Sequence, residues 1–133
     1  FELVSLLIIC FFFSTKYNKN FDYIKLNQNI MNYFTSDLDH SMRLLGVSDM
    51  KISKHDKHYV KKFYHRLSIL KEIFLKKKDV DFQNYLIKFN LIASNQDDIN
   101  AKHFFNKLLI FIERIKNAEQ SEDIELIFNE IFN

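Results

Sequence analysis

The sequence predicts an all-α fold, a single-domain bundle of about six helices over residues 1–133, on three grounds. The chain has no proline and a single glycine, which leaves almost nothing with which to build the tight turns of hairpins and sandwiches. Apolar residues recur three to four apart along most of its length. No alternating stretch is long enough to be read as a strand. With 47% hydrophobic and 27% charged residues the balance is that of a folded protein and excludes disorder. A chain of this length buries roughly two-thirds of the surface it exposes when unfolded.

The first element is Leu3 to Phe13, LVSLLIICFFF, apolar on all sides. Such a helix is buried in a core or in a membrane. A spanning helix needs about 20 apolar residues, so a core helix is the expectation and a truncated membrane anchor its rival. The numbering opens on Phe1 rather than Met, and we expect a fragment whose upstream residues, with any leader, lie outside it. Tyr17 to Asn20 reads as a polar connection. A long helix follows from about Asp22 to Leu45, with Ile24, Ile30 or Met31, Phe34, Leu38, Met42 and Leu45 as its stripe and a gap at Asn27. Gly46 stops it in the left-handed conformation of a helix C-cap, which places Val47 for a contact back to Met42.

Ser53 is the expected N-cap of the next helix, with Asp56 in its first turn. Its inward stripe is Val60, Phe63, Tyr64, Leu67, Leu70 or Lys71 and Phe74, and Lys76, Lys77 and Lys78 sit at its negative end. Asp79 or Asp81 caps a shorter helix containing Phe82, Tyr85, Leu86 and Phe89. Asn95 to Asp98 reads as a loop and cap. Ala101, Phe104 or Phe105, Leu108, Phe111 or Ile112 and Ile115 mark a further helix to about Asn117. Ser121 begins the last, which carries Ile124, Ile127, Phe128 and Ile131.

The formal charge of +2 conceals an asymmetry. From Lys51 to Lys78, nine lysines and Arg66 face only Asp56 and Glu72, a net of +8, which leaves −6 on the rest. A solvated face is the plain explanation, and phosphate or anionic lipid contacts are the functional ones. The lone Cys10 admits neither an intrachain disulfide nor a thiolate cluster and is expected as a buried structural thiol. His55, His58 and His65 share the basic helix, but lysines surround them and no carboxylate set accompanies them, so exposed histidines are expected and no metal. Asp37 and His40 have the spacing of a di-iron bundle pair, yet the second pair such a site needs is missing. One glycine cannot form a phosphate-binding loop, and there is no glycine-flanked serine nucleophile. Neither catalytic residues nor a cofactor are expected, and the chain reads as a binding protein.

Asp37 and Asp39, Arg43, Gly46 and Val47, Asp49, Lys54 and Lys57, and Phe63, Tyr64 and Arg66 follow one another without a gap over 30 residues. This order resembles the ubiquinol-cytochrome c chaperone family, assembly factors of respiratory complex III. The opening Phe1, Glu2 and apolar helix are similar to a family helix, and Asn90 and Leu91 match an Asn-Leu pair that follows the basic helix. The resemblance covers about Phe1 to Asn117. His65 departs from it where glycine is usual, which would hold the helix farther from its neighbour, and Asp56 departs where an apolar residue is usual. The family's preceding helix is missing, which would leave part of the Leu3 to Phe13 surface uncovered.

The resemblance implies a non-enzymatic chaperone that binds newly made cytochrome b, with a small partner chaperone and the ribosome nearby and a membrane surface, but no DNA, as contacts. It also implies the matrix side of the mitochondrial inner membrane, or the cytoplasmic face of a bacterial one. Asp37, Asp39, Gly46, Asp49, Phe63 and Tyr64 are expected as structural residues. The aspartates would pair with Arg43, Arg66 or nearby lysines, and Phe63 and Tyr64 would lie in the core. Arg43, Lys54, Lys57, Lys61 and Arg66 are the expected partner surface. The alternative is a basic helical module that binds RNA or an anionic membrane for another purpose.

Overall fold

Six helices and no strands make up the described residues of the computed structural model, which are 1–93, 98–120 and 123–133. They are α1 (Glu2–Thr15), α2 (Tyr23–Leu44), α3 (Asp49–Lys76), α4 (Asp79–Lys88), α5 (Asp98–Lys116) and α6 (Asp123–Phe132). The bundle is all-α, as the apolar spacing predicts.

The uniformly apolar α1 lies at the centre, packed on α5, α3 and α2. Leu6, Ile9 and Cys10 are fully buried, and burial pushes the Cys10 thiol up, so it stays protonated. Among the described residues no helix is long and apolar enough to cross a membrane. Across from α1, the α5 stripe of Ala101, Phe105, Leu108, Phe111, Ile112 and Ile115 is buried. Phe105 meets Phe82 of α4 at 4.8 Å and Phe74 of α3 at 5.8 Å between ring centroids, so three helices share one aromatic cluster.

The polar connection after α1 does more than turn the chain. Asn18 is buried and its side-chain amide donates to the carbonyls of Ile115 and Ala118, at 2.7 and 2.8 Å, while Asn20 donates to Ala118 at 3.1 Å. These are carbonyls at the end of α5 that no further helical turn can satisfy. The gap in the α2 stripe is likewise filled by a polar contact, since Asn27 accepts from the Thr15 hydroxyl of α1 at 3.3 Å.

Four expectations are corrected. Helix α3 begins at Asp49, with Ser48 at its N-cap position, and Ser53 lies exposed inside it. The connection from α2 is so short that the chain re-enters a helix at once, and buried Ile52 anchors the first turn. Tyr64 is 56% exposed, because the inward face of α3 runs through Phe63, Arg66, Leu70 and Ile73. The ends of the α2 stripe, Ile24 and Leu45, are exposed. The N-cap position of α4 is Lys78, and Asp79 and Asp81 lie in the first turn, where their charge suits the helix end. The Asn95 to Asp97 part of the expected loop, and Ser121, lie outside the described residues.

Candidate binding surface

The stretch from Asp37 to Arg66 forms the α2–α3 hairpin, and its turn closes as the sequence predicts. Gly46 has φ +83°, its N–H donates to the Arg43 carbonyl, and the Val47 N–H donates to the Met42 carbonyl, both at 3.0 Å. These two bonds are the Schellman closure of a helix, built around a residue in the left-handed region. The same closure recurs at the end of α4. Asn90 has φ +59°, its N–H donates to the Ile87 carbonyl at 3.1 Å, and the Leu91 N–H donates to the Leu86 carbonyl at 2.8 Å. The Asn-Leu pair is therefore a helix stop, with asparagine at a position it tolerates better than most residues.

Two polar links tie α2 to α3. Arg43 forms an exposed ion pair with Asp49. One turn earlier on α2, the carboxyl of Asp39 meets that of Asp56. Asp39 Oδ1 and Asp56 Oδ1 are sealed from solvent, with no hydrogen-bonding side chain or backbone donor for either among the described residues. Burial, the hydrogen bond to Asp39 and the charge of Asp39, in that order, push the Asp56 carboxyl up to about 6, against the pull of Arg43 and His55. Asp56 therefore holds its proton to a higher pH than an ordinary carboxyl. Asp37 is exposed on α2 and takes no part in these links.

Arg66 belongs to a different place. It is only 9% exposed and makes a two-point ion pair with Glu2 of α1, at 2.9 and 3.2 Å, beneath the ring of Phe89, whose centroid lies 4.0 Å from the guanidinium. The expectation that it joins the partner surface is corrected, since its side chain is spent on locking α3 to α1 and to the end of α4. Phe63 is fully buried, against Phe12 and Phe34. Phe1 reaches Phe34 of α2 and Tyr59 of α3 at 5.9 and 5.1 Å, so the opening Phe-Glu pair packs against both helices of the hairpin, with Glu2 alone meeting the Phe-Tyr-His-Arg run, at Arg66. His65 is exposed, with its ring edge toward Phe89, so it does not hold α3 away from a neighbour.

Lys54, Lys57 and Lys61 are exposed on α3 with Tyr64 one turn on, and none of the three lysines has an ion-pair partner among the described residues. Arg43 lies at the same end of the hairpin. The structure thus brings four of the five expected partner residues to the hairpin and moves Arg66 to the interior. Among the described residues, no group of three or more His, Cys, Asp or Glu side chains could hold a metal ion.

On the opposite side of α1 lies an open groove of about 540 Å³ with almost no polar lining. Leu7, Ile8 and Phe11 of α1 form its floor, and Leu26 of α2 and Ile124 and Phe128 of α6 are among its walls. The sequence points to it only through the all-round apolarity of α1, which is more than one core face can absorb.

The family model for ubiquinol-cytochrome C chaperones matches residues 1–108, from the start of α1 to the middle of α5, and so includes the whole hairpin and the Glu2 to Arg66 contact. No curated protein and no solved structure matches the chain.

Proposed function

The chain belongs to the ubiquinol-cytochrome C chaperone family, and from that premise we propose that it is a non-enzymatic assembly chaperone. It binds newly made cytochrome b and promotes assembly of ubiquinol-cytochrome c reductase. The family match over residues 1–108 carries this reading. The groove between α1, α2 and α6 supports it physically, because a client that will end in a bilayer offers apolar helices that need cover until insertion. The work is done at the membrane where the complex is built, on the matrix side of the mitochondrial inner membrane or the cytoplasmic face of a bacterial one. A small partner chaperone and the ribosome are the further contacts that this reading carries.

Deleting the gene is expected to lower assembled complex III while the other respiratory complexes are initially intact, and normal complex III in the deletion strain rejects the proposal. A photo-crosslinking residue at Ile8 is expected to capture cytochrome b, whereas one at exposed Asn84 is not. A second reading, RNA binding, is favoured by the unpaired Lys54, Lys57 and Lys61 beside exposed Tyr64. Tight, steeply salt-dependent binding to RNA without any effect on cytochrome b would select it.

A further inference from the structure

Met50 and Leu45 are the most exposed large apolar side chains among the described residues, at 86% and 83%, and Leu44 follows at 75%, level with Tyr33 of α2. Leu44, Leu45 and Met50 sit at one place, the turn of the α2–α3 hairpin. Leu44 is the last residue of α2, Leu45 its C-cap and Met50 the second residue of α3. The turn that carries them is closed by the Gly46 bonds and the Arg43 to Asp49 pair, and Met42 and Ile52 are buried beneath it. The closed turn thus holds three apolar side chains in water.

Beside the tip, Asp49 is offset by Arg43, and the lysines along this end of α3 outnumber the remaining acids, Asp37, Asp39 and Asp56. Lys51, Lys54, Lys57 and Lys61 are exposed and unpaired among the described residues. At about 1.5 Å per residue, Lys54 stands on the order of 6 Å beyond Met50 along α3. The headgroup layer of one leaflet is about 5–7 Å thick.

We propose that the α2–α3 tip inserts into an anionic bilayer surface, with Leu44, Leu45 and Met50 at the acyl boundary and Lys51 and Lys54 among the headgroups. Fluid lipid receives exposed apolar side chains without a preformed pocket, and anionic headgroups attract the lysines behind them. RNA would engage the lysines but gain nothing from two leucines and a methionine. This inference rests on the membrane-side placement proposed above. The assay below contains no cytochrome b, so its failure leaves client binding standing.

The full chain is sedimented with vesicles of phosphatidylcholine alone and with vesicles containing about one-third phosphatidylglycerol. Binding is expected to the anionic vesicles and to be at least about tenfold weaker to the neutral ones. Changing Leu44, Leu45 and Met50 together to serine is expected to weaken binding on the order of 100-fold with an unchanged melting curve, because these side chains contribute little to the core. Lys51→Gln with Lys54→Gln is expected to cost roughly tenfold on anionic vesicles alone. Absence of vesicle binding overturns the proposal, as does binding that the triple variant retains. Loss of a co-purifying protein from the triple variant, with vesicle binding unchanged, overturns it in favour of a protein pocket. Should the triple variant fail to fold, Met50→Cys carries an environment-sensitive fluorophore, since Cys10 is buried and does not compete for label. A blue shift on adding anionic vesicles supports insertion, and an unshifted spectrum rejects it.

Discussion

Along the seam of α1 and α5 the facing side chains are apolar and sealed, whereas α2 and α3 are joined through a backbone closure, one exposed ion pair, two facing carboxyls and a small apolar contact of Phe34, Met42, Ile52 and Phe63. Leu6, Ile9, Phe105, Leu108 and Ile115 stand at or near zero exposure on the first side. Helix α2 buries only Met42. The seam is therefore held by excluded water and close packing, which act in all directions and tolerate little loss of volume. The hairpin is held by few contacts, which leaves most of its surface uncommitted. The exposed lysines without ion pairs at its turn end, Lys51, Lys54, Lys57 and Lys61, and the most exposed apolar side chains occur together on it. The half that needs least surface for its own stability has most left to offer a partner.

The largest test of that division is a paired truncation. Phe105→Ala removes a ring from the Phe74 and Phe82 cluster and is expected to destabilise by about 4 kcal/mol in urea denaturation. Met50→Ala, in the hairpin, is expected to stay within about 0.5 kcal/mol of the parent. Comparable losses from the two would erase the distinction. Next in size is Arg66→Ala, which strands the partly buried Glu2 carboxylate and uncovers Phe89, at an expected cost of about 3 kcal/mol. Lys61→Ala, five residues away on the exposed face, is expected to change stability by less than about 0.5 kcal/mol. If the two matched, the arginine would be a surface residue after all.

Helix number, order and most inward faces were legible because they depend on the spacing of apolar residues, which survives any detail of packing. The differences fall where a distant partner, the helix phase or a neighbouring stop decides a residue's role. Arg66 reads as a surface charge because its partner lies 64 residues away, although a glutamate opening an otherwise apolar helix signals that something will neutralise it. Tyr64 reads as core because it adjoins Phe63, yet one residue turns the helix by about 100°. Ser53 and Ser48 are equal as N-cap letters, and only the closeness of the Gly46 stop selects Ser48. Asp56 was visible as a polar residue at an expected apolar position, and the structure supplies the reason, a carboxyl partner on α2. The groove is legible only as surplus apolarity on α1 and the exposed tip not at all, because apolar periodicity says which residues share a face but not whether another element covers it.

The turn itself offers a smaller test. Gly46→Ala places a methyl group where nothing lies within 4 Å, so any cost comes from the backbone at φ +83° rather than from a clash. An expected loss of 1–2 kcal/mol, with Gly46→Asn closer to the parent, would match the penalty of an L-residue in the left-handed region. A loss above about 3 kcal/mol would show that the hairpin depends on its turn as strongly as the seam depends on its packing.

The smallest expected effect separates the two halves by pH. The folded chain holds the Asp56 proton more tightly than the unfolded chain does, with the carboxyl raised from 3.8 to about 6. For an acid raised on folding, the stabilisation is complete below the unfolded value and is lost as pH rises through the folded one. Between pH 4 and pH 7 the hairpin should therefore weaken, by about 1 kcal/mol after allowance for the solvent that reaches a partly exposed pair. Asp56→Asn cannot ionise and can still donate to Asp39. It is expected to match the parent near pH 4 and to exceed it by about 1 kcal/mol at pH 8. The same comparison made in a Phe105→Ala background should give the same pH-dependent difference, because the seam contains no group in that pair. A parent and Asp56→Asn variant with parallel stability from pH 4 to pH 8 would mean that folding does not raise the Asp56 carboxyl, and the polar part of the hairpin would then rest on Arg43, Asp49 and the Gly46 closure.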